Sequence, residues 1–594
     1  TPLVTAANTA PGTHFGDNEE GGLPTEGIHF ITATPDLSHV VLSSRGKFLT
    51  SEGGAPSPYY FYEWVEGKLK LIDAFPSNLP GNFYFGGSAE IGLGDTNVRH
   101  AISDDGARIF WSTPGGVFMR DAPAGESVLI SAAQGVPSTG GGIFQYASSD
   151  GSRAFFSTGY QLTTAPGGGL YVYEAETGKL TLVTVPLNAS EPTKVLGLVP
   201  GASEDGSYVY VVAQGVLSAN ENTNREKAVS GANNLYVLHG ETAQGGGTRW
   251  SASFIAALSN EDWPSWDGHY NGSYVNMPQL VSRASPNGRY FAFMSERSLT
   301  GYDNRDAVSG QPDEEVYEYD AASGRLACVS CDPTGARPEG RQQPEGTKVD
   351  PPEVWRGRWI AGSVPGWFEA FRGFEVANYQ PHYLSDSGRI FFDSSAGLVT
   401  QDVNGTEDVY QYEPSDVGSC AQAQGCVSLL SGGTGPDESV FQDASASGED
   451  VFFLTVDRLV SEDFDNAYDM YDAHVCGAQA PCFPARPALP PSCNSGDSCK
   501  PAPSPQPPVF GAPASATFSG EGNLTPQPAA TVTLKKGPTR AQRLARALRA
   551  CRLVHGKRKR TACERSATKR YGQQAGRAAG RPRAYANMSR RAGR

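Results

Sequence analysis

Two acidic loops carry the residues of this 594-residue chain whose types and spacing come closest to those of a metal site. Asp402, Asn404 and Asp408 stand in the first loop, and Asp463 and Asp465 stand in the second. Oxygen donors at alternate positions are the ligands that calcium takes in proteins. The glutamate that closes an EF-hand loop is missing, and Asp and Asn also end strands through side-chain turns without any ion. We expect no cofactor other than calcium, and these five residues are its candidate ligands.

Two clusters of aromatic residues suggest a surface that binds sugar or peptide. They fall within the segments 240–280 and 341–380. The candidate binding residues are Trp263, Trp266, His269 and Tyr270 in the first segment, and Trp355, Trp359 and Trp367 in the second. Exposed rings of this kind stack on sugars or hold a peptide. The alternative is that the rings cover a core where a sheet edge would otherwise be open, and this alternative is favoured for the second cluster.

Ten cysteines fall in close pairs along the sequence, which indicates local disulfides. The pairs are Cys328/Cys331, Cys420/Cys426, Cys476/Cys482, Cys493/Cys499 and Cys551/Cys563. An even number of neighbouring cysteines is typical of an oxidising compartment, so we expect an extracellular or cell-envelope protein. Zinc at the first pair is the competing interpretation, but no second Cys-x-x-Cys or His pair accompanies it.

The C-terminal segment is strongly basic. From Lys535 to Arg594 there are 20 Lys and Arg against one acid, so this segment carries +19 and the remainder −34, while the whole chain carries −15. A block of this kind is attracted to polyanions. We predict attachment to anionic envelope polymers or lipid head groups, and we do not expect nucleic acid as a partner. The candidate contact residues are Lys557, Arg558, Lys559, Arg560, Lys569 and Arg570. The alternative is a tail that folds back on the acidic body.

A phrase of about eight residues recurs along the chain and predicts its fold. One copy is Ser285-Pro286-Asn287-Gly288-Arg289-Tyr290-Phe291-Ala292, and the other six begin at residues 35, 103, 149, 203, 385 and 445. An Asp-Gly or Asn-Gly pair permits a turn with a residue at positive φ, and the run after it alternates as a strand does. One such unit cannot bury both its faces, so the units must stack. We predict an all-β, seven-bladed β-propeller.

The repeat also carries a family resemblance. The phrase at 285–293, followed by Val316-Tyr317-Glu318-Tyr319-Asp320 and Ser323-Gly324-Arg325, resembles the WD-like repeat of TolB-like propellers. The resemblance covers roughly residues 31 to 475 and implies the fold but no activity, because propellers host scaffolds and enzymes alike. The basic segment around Cys551 and Cys563 is similar to C-terminal segments of secreted propeller proteins of actinobacterial type, which supports the expected location.

Composition divides the chain into successive parts. They are an N-terminal extension (1–30), the propeller (31–475) with insertions near 240–280 and 341–380, a Pro/Ser/Cys-rich linker (476–530), a basic disulfide-stapled helical hairpin (531–575) and a disordered basic tail (576–594). The last blade offers no obvious final strand, so one hypothesis is that the N-terminal segment supplies it. The chain begins at Thr1 without a visible signal peptide, so we expect either that processing removed it or that the sequence is a fragment.

No sequence motif of a familiar enzyme class is present. The chain lacks Gly-x-Ser-x-Gly, His-Glu-x-x-His and a phosphate-binding loop, and it has no run of 18 apolar residues. We therefore predict a non-catalytic scaffold that binds a protein or a glycan at the propeller mouth. The alternative is a propeller enzyme of glycosidase or lyase type acting on extracellular polysaccharide, which would need a pair of carboxylates in an accessible channel.

Overall fold

The protein is described by a computed structural model. The described residues are 2–11, 27–44, 59–79, 83, 88–94, 97–138, 140–244, 247–266, 280–342, 357–365, 380–460, 462–476, 545, 548–552 and 557–571. Contacts between Cα atoms divide the chain into two compact units, residues 1–490 and 491–594.

The first unit consists mainly of antiparallel sheets that follow one another along the chain, each a meander in sequence order. Sheet 1 comprises β1 (Ile28–Ala33), β2 (His39–Ser44), β3 (Tyr60–Val65) and β4 (Lys68–Leu71). Sheet 2 comprises β5 (Glu90–Ile91), β6 (Arg108–Thr113), β7 (Gly116–Asp121) and β8 (Glu126–Leu129). Sheet 3 comprises β9 (Ile143–Ala147), β10 (Arg153–Thr158), β11 (Gly169–Glu174) and β12 (Lys179–Leu182). Sheet 4 comprises β13 (Val195–Ala202), β14 (Tyr208–Ala213), β15 (Asn233–Thr242) and β16 (Thr248–Leu258). Sheet 5 comprises β17 (Ser282–Ala284), β18 (Tyr290–Ser295), β19 (Glu315–Asp320) and β20 (Arg325–Cys328).

The later sheets are smaller. A two-stranded ribbon of β21 (Arg341–Gln342) and β22 (Trp359–Ile360) precedes sheet 6, which comprises β23 (Ile390–Ser394), β24 (Asp408–Glu413) and β25 (Cys426–Leu429). Sheet 7 comprises β26 (Val440–Ala444), β27 (Asp450–Thr455) and β28 (Asp469–His474). The segment before β23 completes the inner side of sheet 6 through a single bridge between Leu384 and Ile390.

The recurring phrase of the sequence forms the turn between the first and second strand of a sheet, which we call the repeat turn. In the repeat turn of sheet 4, the Ser203 hydroxyl donates to Asp205 Oδ1 (2.6 Å) and accepts from the Tyr208 amide (2.9 Å). Gly206 adopts φ +64°, which an L side chain disfavours. The Asp and Ser side chains close the turn locally, so the phrase is explained by backbone geometry.

Repeat turns of successive sheets are hydrogen-bonded to one another, which aligns the sheets side by side. The backbone bonds run from Asp104 N to Ser149 O (2.7 Å), from Ser149 N to Glu204 O (2.7 Å), from Glu204 N to Pro286 O (2.8 Å) and from Asp386 N to Ala446 O (3.4 Å). The Asn287 amide donates to Asp386 Oδ1 (2.7 Å) and joins sheet 5 to sheet 6. This continuous series links sheets 2 to 7.

The hydrophobic core lies between adjacent sheets, which is why each sheet carries apolar side chains on both faces. Tyr210 of sheet 4 stacks on Phe291 of sheet 5 with ring centroids 4.2 Å apart, and Phe391 of sheet 6 lies 6.0 Å from Phe441 of sheet 7. Face-to-face packing of small twisted sheets is consistent with a β-propeller, and the fold is mostly β, as predicted.

Among the described residues no strand pairs with the outer edge of β28 in sheet 7, where Met470 is 60% exposed. The described part of the N-terminal segment does not supply a fourth strand, because β1 pairs with β2 in sheet 1 and Leu3 and Val4 pack against the core of that sheet. Residues 12–26 lie outside the described residues, so the hypothesis of a borrowed strand is restricted to them.

The second unit contains a helix, α1 (Lys557–Tyr571), and helical residues at 545 and 548–552. Cys551 and Cys563 join these two helical segments through a disulfide. No helix of the described residues is long and apolar enough to cross a membrane.

Candidate functional site

The structure places three of the seven predicted aromatic residues. Trp263 opens a short 3-10 helix (Trp263–Ser265) and packs between two core clusters, with the Arg358 guanidinium 5.9 Å from its ring. Trp266 is 3% exposed, so its ring lies in the core. Trp359 lies in β22 and is half-buried. A role in stacking on a ligand therefore stays a prediction for Trp263 and Trp359. The other four predicted residues lie outside the described residues: His269, Tyr270, Trp355 and Trp367.

The two predicted calcium loops differ in how their oxygens are used. In the first, Asp402 accepts from the Tyr410 hydroxyl, and Asp408 accepts from Asn404 Nδ2 (2.6 Å) and from Ser431. These hydrogen bonds explain the arrangement of the loop without an ion, and calcium binding there stays a prediction. Burial raises the pKa of both carboxyls.

In the second loop, carboxylate oxygens of Asp463, Asp465 and Asp469 lie within 4.8 Å of one another. The backbone amides of Asp465 and Ala467 donate to Asp463 and Asp465, respectively, so a side-chain turn also explains the loop. Calcium binding there stays a prediction.

Three of the predicted disulfides are present among the described residues: Cys328–Cys331, Cys420–Cys426 and Cys551–Cys563. Cys476 is also disulfide-bonded, while Cys482, Cys493 and Cys499 lie outside the described residues. Glu315 lies near the first pair, but a thiolate metal site is excluded there because both sulfurs are in the disulfide. Disulfides persist in oxidising environments, which supports the expected location.

Helix α1 presents the predicted cationic residues to solvent. Lys557, Arg558, Lys559, Arg560 and Lys569 are exposed, and Arg570 lies in the same helix. Four cations in the first turn face the positive end of the helix dipole, which is unfavourable. Most described residues of the helix are exposed, and the disulfide to Cys551, which is 2% exposed, links the helix covalently to the preceding helical segment.

We expect Cys551→Ser to abolish most hydrogen-exchange protection of α1. Opening a loop of this size costs about 2–3 kcal/mol of local stability, and a short cationic helix has little else to hold it. The measurement is amide exchange of residues 557–571 in the full chain. Cys420→Ser, which opens a comparable local bridge in sheet 6, is the control and should leave α1 unchanged. Equal protection of α1 in both variants would contradict the assignment.

A cavity of about 270 Å³ lies between the inner strands of successive sheets of the first unit, and we call it the axial cavity. Its lining comes from sheets 1 to 6: Thr32, Val98, Arg99, His100, Tyr146, Gly201, Ala202, Glu204, Arg283, Ala284, Pro286, Gln380 and His382. Convergence of one segment from each of six sheets on a common cavity is the feature that a radial arrangement produces. Sheet 7 adjoins it, because the His382 amide donates to Asp443 (2.7 Å).

Polar side chains tie the inner strands together around the axial cavity. Asn97 Nδ2 donates to the Gln145 carbonyl (2.7 Å), and the Gln145 side-chain oxygen accepts from the Val199 amide (2.8 Å). Gln380 Nε2 donates to the carbonyls of Leu280 (3.0 Å) and Ser282 (2.8 Å). Inner strands have a free edge, and these side chains satisfy backbone groups there that would otherwise be buried without partners.

The charge lining the axial cavity comes mainly from two arginines. Arg99 Nη2 donates to the Val199 carbonyl (2.5 Å), and its guanidinium lies 5.6 Å from the centre of the Tyr146 ring. Arg283 Nη1 donates to the carbonyls of Gln380 (2.8 Å) and Pro381 (3.2 Å). Neither guanidinium forms an ion pair with a carboxylate of the described residues.

A second cleft of about 770 Å³ lies between the loops of sheets 5 and 6. Four acids and two arginines line it: Asp332, Glu339, Asp402, Glu438, Arg337 and Arg341. Arg341 forms a salt bridge with Glu438, and Arg337 forms one with Asp303 (2.7 Å). Both arginines of this cleft are therefore neutralised by neighbouring carboxylates.

Sequence inspection missed Arg99 and Arg283. One signal existed, because Thr32, Tyr146, Gly201 and Arg283 each stand two residues before the Ser or Thr whose hydroxyl closes a repeat turn, and all four line the axial cavity. The position in each repeat that faces the axial cavity could therefore have been identified by aligning the repeats. The approach of Arg99 depends on a residue at φ +50°, His100, which the sequence does not indicate.

No protein-family model matches the sequence, and no curated protein is significantly similar to it. Among solved structures, the chain is similar to the tricorn protease, with 11% identity and a TM-score of 0.29 over 73% of this chain and 32% of that chain. It is also similar to a prolyl endopeptidase (10% identity, TM-score 0.29, 76% and 50%) and to Kuenenia stuttgartiensis hydrazine synthase (11%, 0.27, 78% and 98%). The chain spans half or less of the length of the first two, and at these TM-scores the structural similarity is weak.

Proposed function

We propose that the first unit is a seven-bladed propeller of TolB-like type that works as a secreted or cell-envelope binding scaffold, without catalysis. Its ligand, a glycan or a protein, would be held at the axial cavity and its mouth. The basic second unit would attach the protein to anionic envelope polymers or lipid head groups.

The observation that carries this proposal is the composition of the axial cavity. Six consecutive sheets contribute to one half-open cavity, and Glu204 is the one carboxylate among its described lining residues. Hydrolysis of a glycosidic bond ordinarily requires a pair of carboxyl groups. A cavity with two arginines and one acid is better suited to holding a ligand than to acid–base cleavage.

The attachment role is supported by the charge of α1 and by the disulfides. Seven Lys and Arg against one Glu lie between Lys557 and Tyr571, and the cations of the first turn are exposed. A polyanion bound at that turn would offset their repulsion with the helix dipole. The bridged cysteines agree with a location outside the reducing cytosol.

The test is retention of the full chain on a panel of envelope and plant polysaccharides and anionic vesicles, at low and high salt, with and without calcium. We expect salt-sensitive retention to weaken by about tenfold or more when Lys557, Arg558, Lys559 and Arg560 are all changed to Gln, since each cation near an anionic surface contributes about 1 kcal/mol. Changing four exposed cations of the first unit (Lys68, Lys179, Lys227 and Arg249) to Gln is the charge-matched control. Unchanged retention would contradict the attachment role, and release of new reducing ends would overturn the non-catalytic proposal.

A second candidate, a propeller enzyme acting on extracellular polysaccharide, is favoured by the cleft between sheets 5 and 6. It gathers four carboxylates, and burial raises the pKa of Asp402, a condition that suits a general acid. In that case Asp402→Asn would abolish reducing-end release in the same panel while leaving retention intact.

A further inference from the structure

We propose that the axial cavity binds the carboxylate group of a small organic anion between the guanidinium groups of Arg99 and Arg283. The inference rests on the proposed function, because it names the chemical class of the ligand that the scaffold holds.

The hydrogen bonds of the two arginines leave donors free to bind a ligand. Arg99 donates hydrogen bonds to Asn97 Oδ1 and to the Val199 carbonyl, and Arg283 donates to two carbonyls of the segment before β23. Arg283 Nε is buried and has no hydrogen-bond partner in the described part of the chain. A guanidinium offers five N–H donors, so both groups keep unused ones. Buried unpaired donors are costly, and a carboxylate that accepts from them would relieve that cost.

The two cations also disfavour each other's charge. Burial, together with the charge of Arg283, lowers the pKa of Arg99 to about 10, so Arg99 stays charged at neutral pH. Burial and the two arginines lower the pKa of His100 to about 4, so this imidazole is neutral at neutral pH. The cavity therefore holds two positive charges at neutral pH, and an anion between them would replace repulsion by attraction.

Glu204 sets the charge at the rim of the cavity. It is exposed in the repeat turn of sheet 4, and its side chain forms no hydrogen bond or ion pair within the described residues. Although the residue is exposed, partial loss of solvent around its carboxyl at the rim, together with the charges of Asp104 and Asp386, raises its pKa. An ionised Glu204 would repel an entering anion, so it should weaken binding.

The size and walls of the cavity favour a small ligand. A volume of about 270 Å³ is at the lower limit of ordinary ligand pockets. The His100 and Tyr146 rings meet edge to face at 5.3 Å and form an aromatic wall. A carboxylate on a small body, such as a uronate unit, matches two cations beside an aromatic wall.

The test is calorimetric titration of the full chain with D-galacturonate, acetate and the neutral D-galactose. We expect a Kd of about 1 mM or lower for at least one carboxylate and no binding of galactose. Arg283→Met should weaken binding about tenfold or more, because a charge-assisted hydrogen bond is lost. Arg249→Met, at an exposed arginine of β16, is the matched control. Binding of acetate and galacturonate alike would show that a free carboxylate suffices, and galacturonate alone would point to a uronate.

Glu204→Gln provides a variant in which no contact between strands is disturbed. It should tighten carboxylate binding about threefold or more, since one repelling charge is removed. Binding that is unchanged in both Arg283→Met and Glu204→Gln, or no carboxylate binding by the wild type, would overturn the inference. If the full chain with Lys557, Arg558, Lys559 and Arg560 changed to Gln still retains a polysaccharide of the panel, this inference alone fails; if nothing is retained, the proposed function fails with it.

Discussion

Replacing Gly288 by alanine is expected to lower the free energy of unfolding of the sheets by about 2–5 kcal/mol. Gly288 adopts φ +72° in the repeat turn of sheet 5, and a Cβ there would lie 2.6 Å from the Cβ atoms of Ser203 and Tyr208 in sheet 4. The left-handed backbone costs alanine about 1–2 kcal/mol, and forcing two sheets apart costs about 1–3 kcal/mol more. Chemical denaturation followed by tryptophan fluorescence measures the loss.

Gly324→Ala in the same sheet separates the two contributions. Gly324 has nearly the same φ, +71°, but a Cβ there would meet no atom within 4 Å. Its alanine variant should lose only about 1–2 kcal/mol, the backbone cost. Equal losses in the two variants would mean that the repeat turn of sheet 5 does not press against sheet 4.

The unfolding free energy is expected to fall as the pH rises from about 4 to about 8. Burial raises the pKa of Asp262, Asp313 and Glu407 to about 7, and that of Glu315 to about 8. Unfolded carboxyls titrate near 4, so between these values the folded chain binds protons that the unfolded chain does not. Each such group lowers stability by up to about 1.4 kcal/mol per pH unit until its folded pKa is passed.

Glu315→Gln tests the carboxyl whose pKa is raised furthest among these four groups. Glu315 is fully buried, accepts from the Ser330 hydroxyl through Oε2, and leaves Oε1 without a hydrogen-bond partner among the described residues. The amide keeps the shape and removes the charge, so the variant should be more stable than the wild type at about pH 8 and similar at about pH 5. Glu126→Gln, at an exposed glutamate of β8, should alter neither value. A stability gain at pH 5 that equals the gain at pH 8 would show that Glu315 is not titrating over this range.

These buried acids also bear on the second candidate function. A raised carboxyl pKa often marks a functional site, but structural networks produce it as well. Asp262 accepts from the Ser295 hydroxyl (2.6 Å) and the Glu296 amide (2.9 Å), and Glu314 pairs with Arg358. These partners join the segment after β16 to the end of β18, and the residue before β19 to the residue before β22, so we assign a structural role to Asp262 and Glu314.

The sequence alone determined the local structure of this protein. A Gly at positive φ, a Ser and an Asp or Asn two residues apart, and the alternating run that follows them specify a turn and a strand by short-range contacts. The same holds for the local disulfides Cys328–Cys331 and Cys420–Cys426, because cysteines so near in sequence lie within bonding reach. The repeat therefore predicted the mostly β fold from particular residues.

The tertiary structure decided which residues share a site. Arg99 and Arg283 are 184 positions apart in the sequence, and both line the axial cavity because segments of different sheets converge there. The sequence likewise could not show that Trp266 is buried. An exposed tryptophan and a core tryptophan look the same in a loop rich in aromatic residues. Spacing along the chain fixes neighbours within a turn or a strand, whereas distances between sheets depend on how all of them pack together.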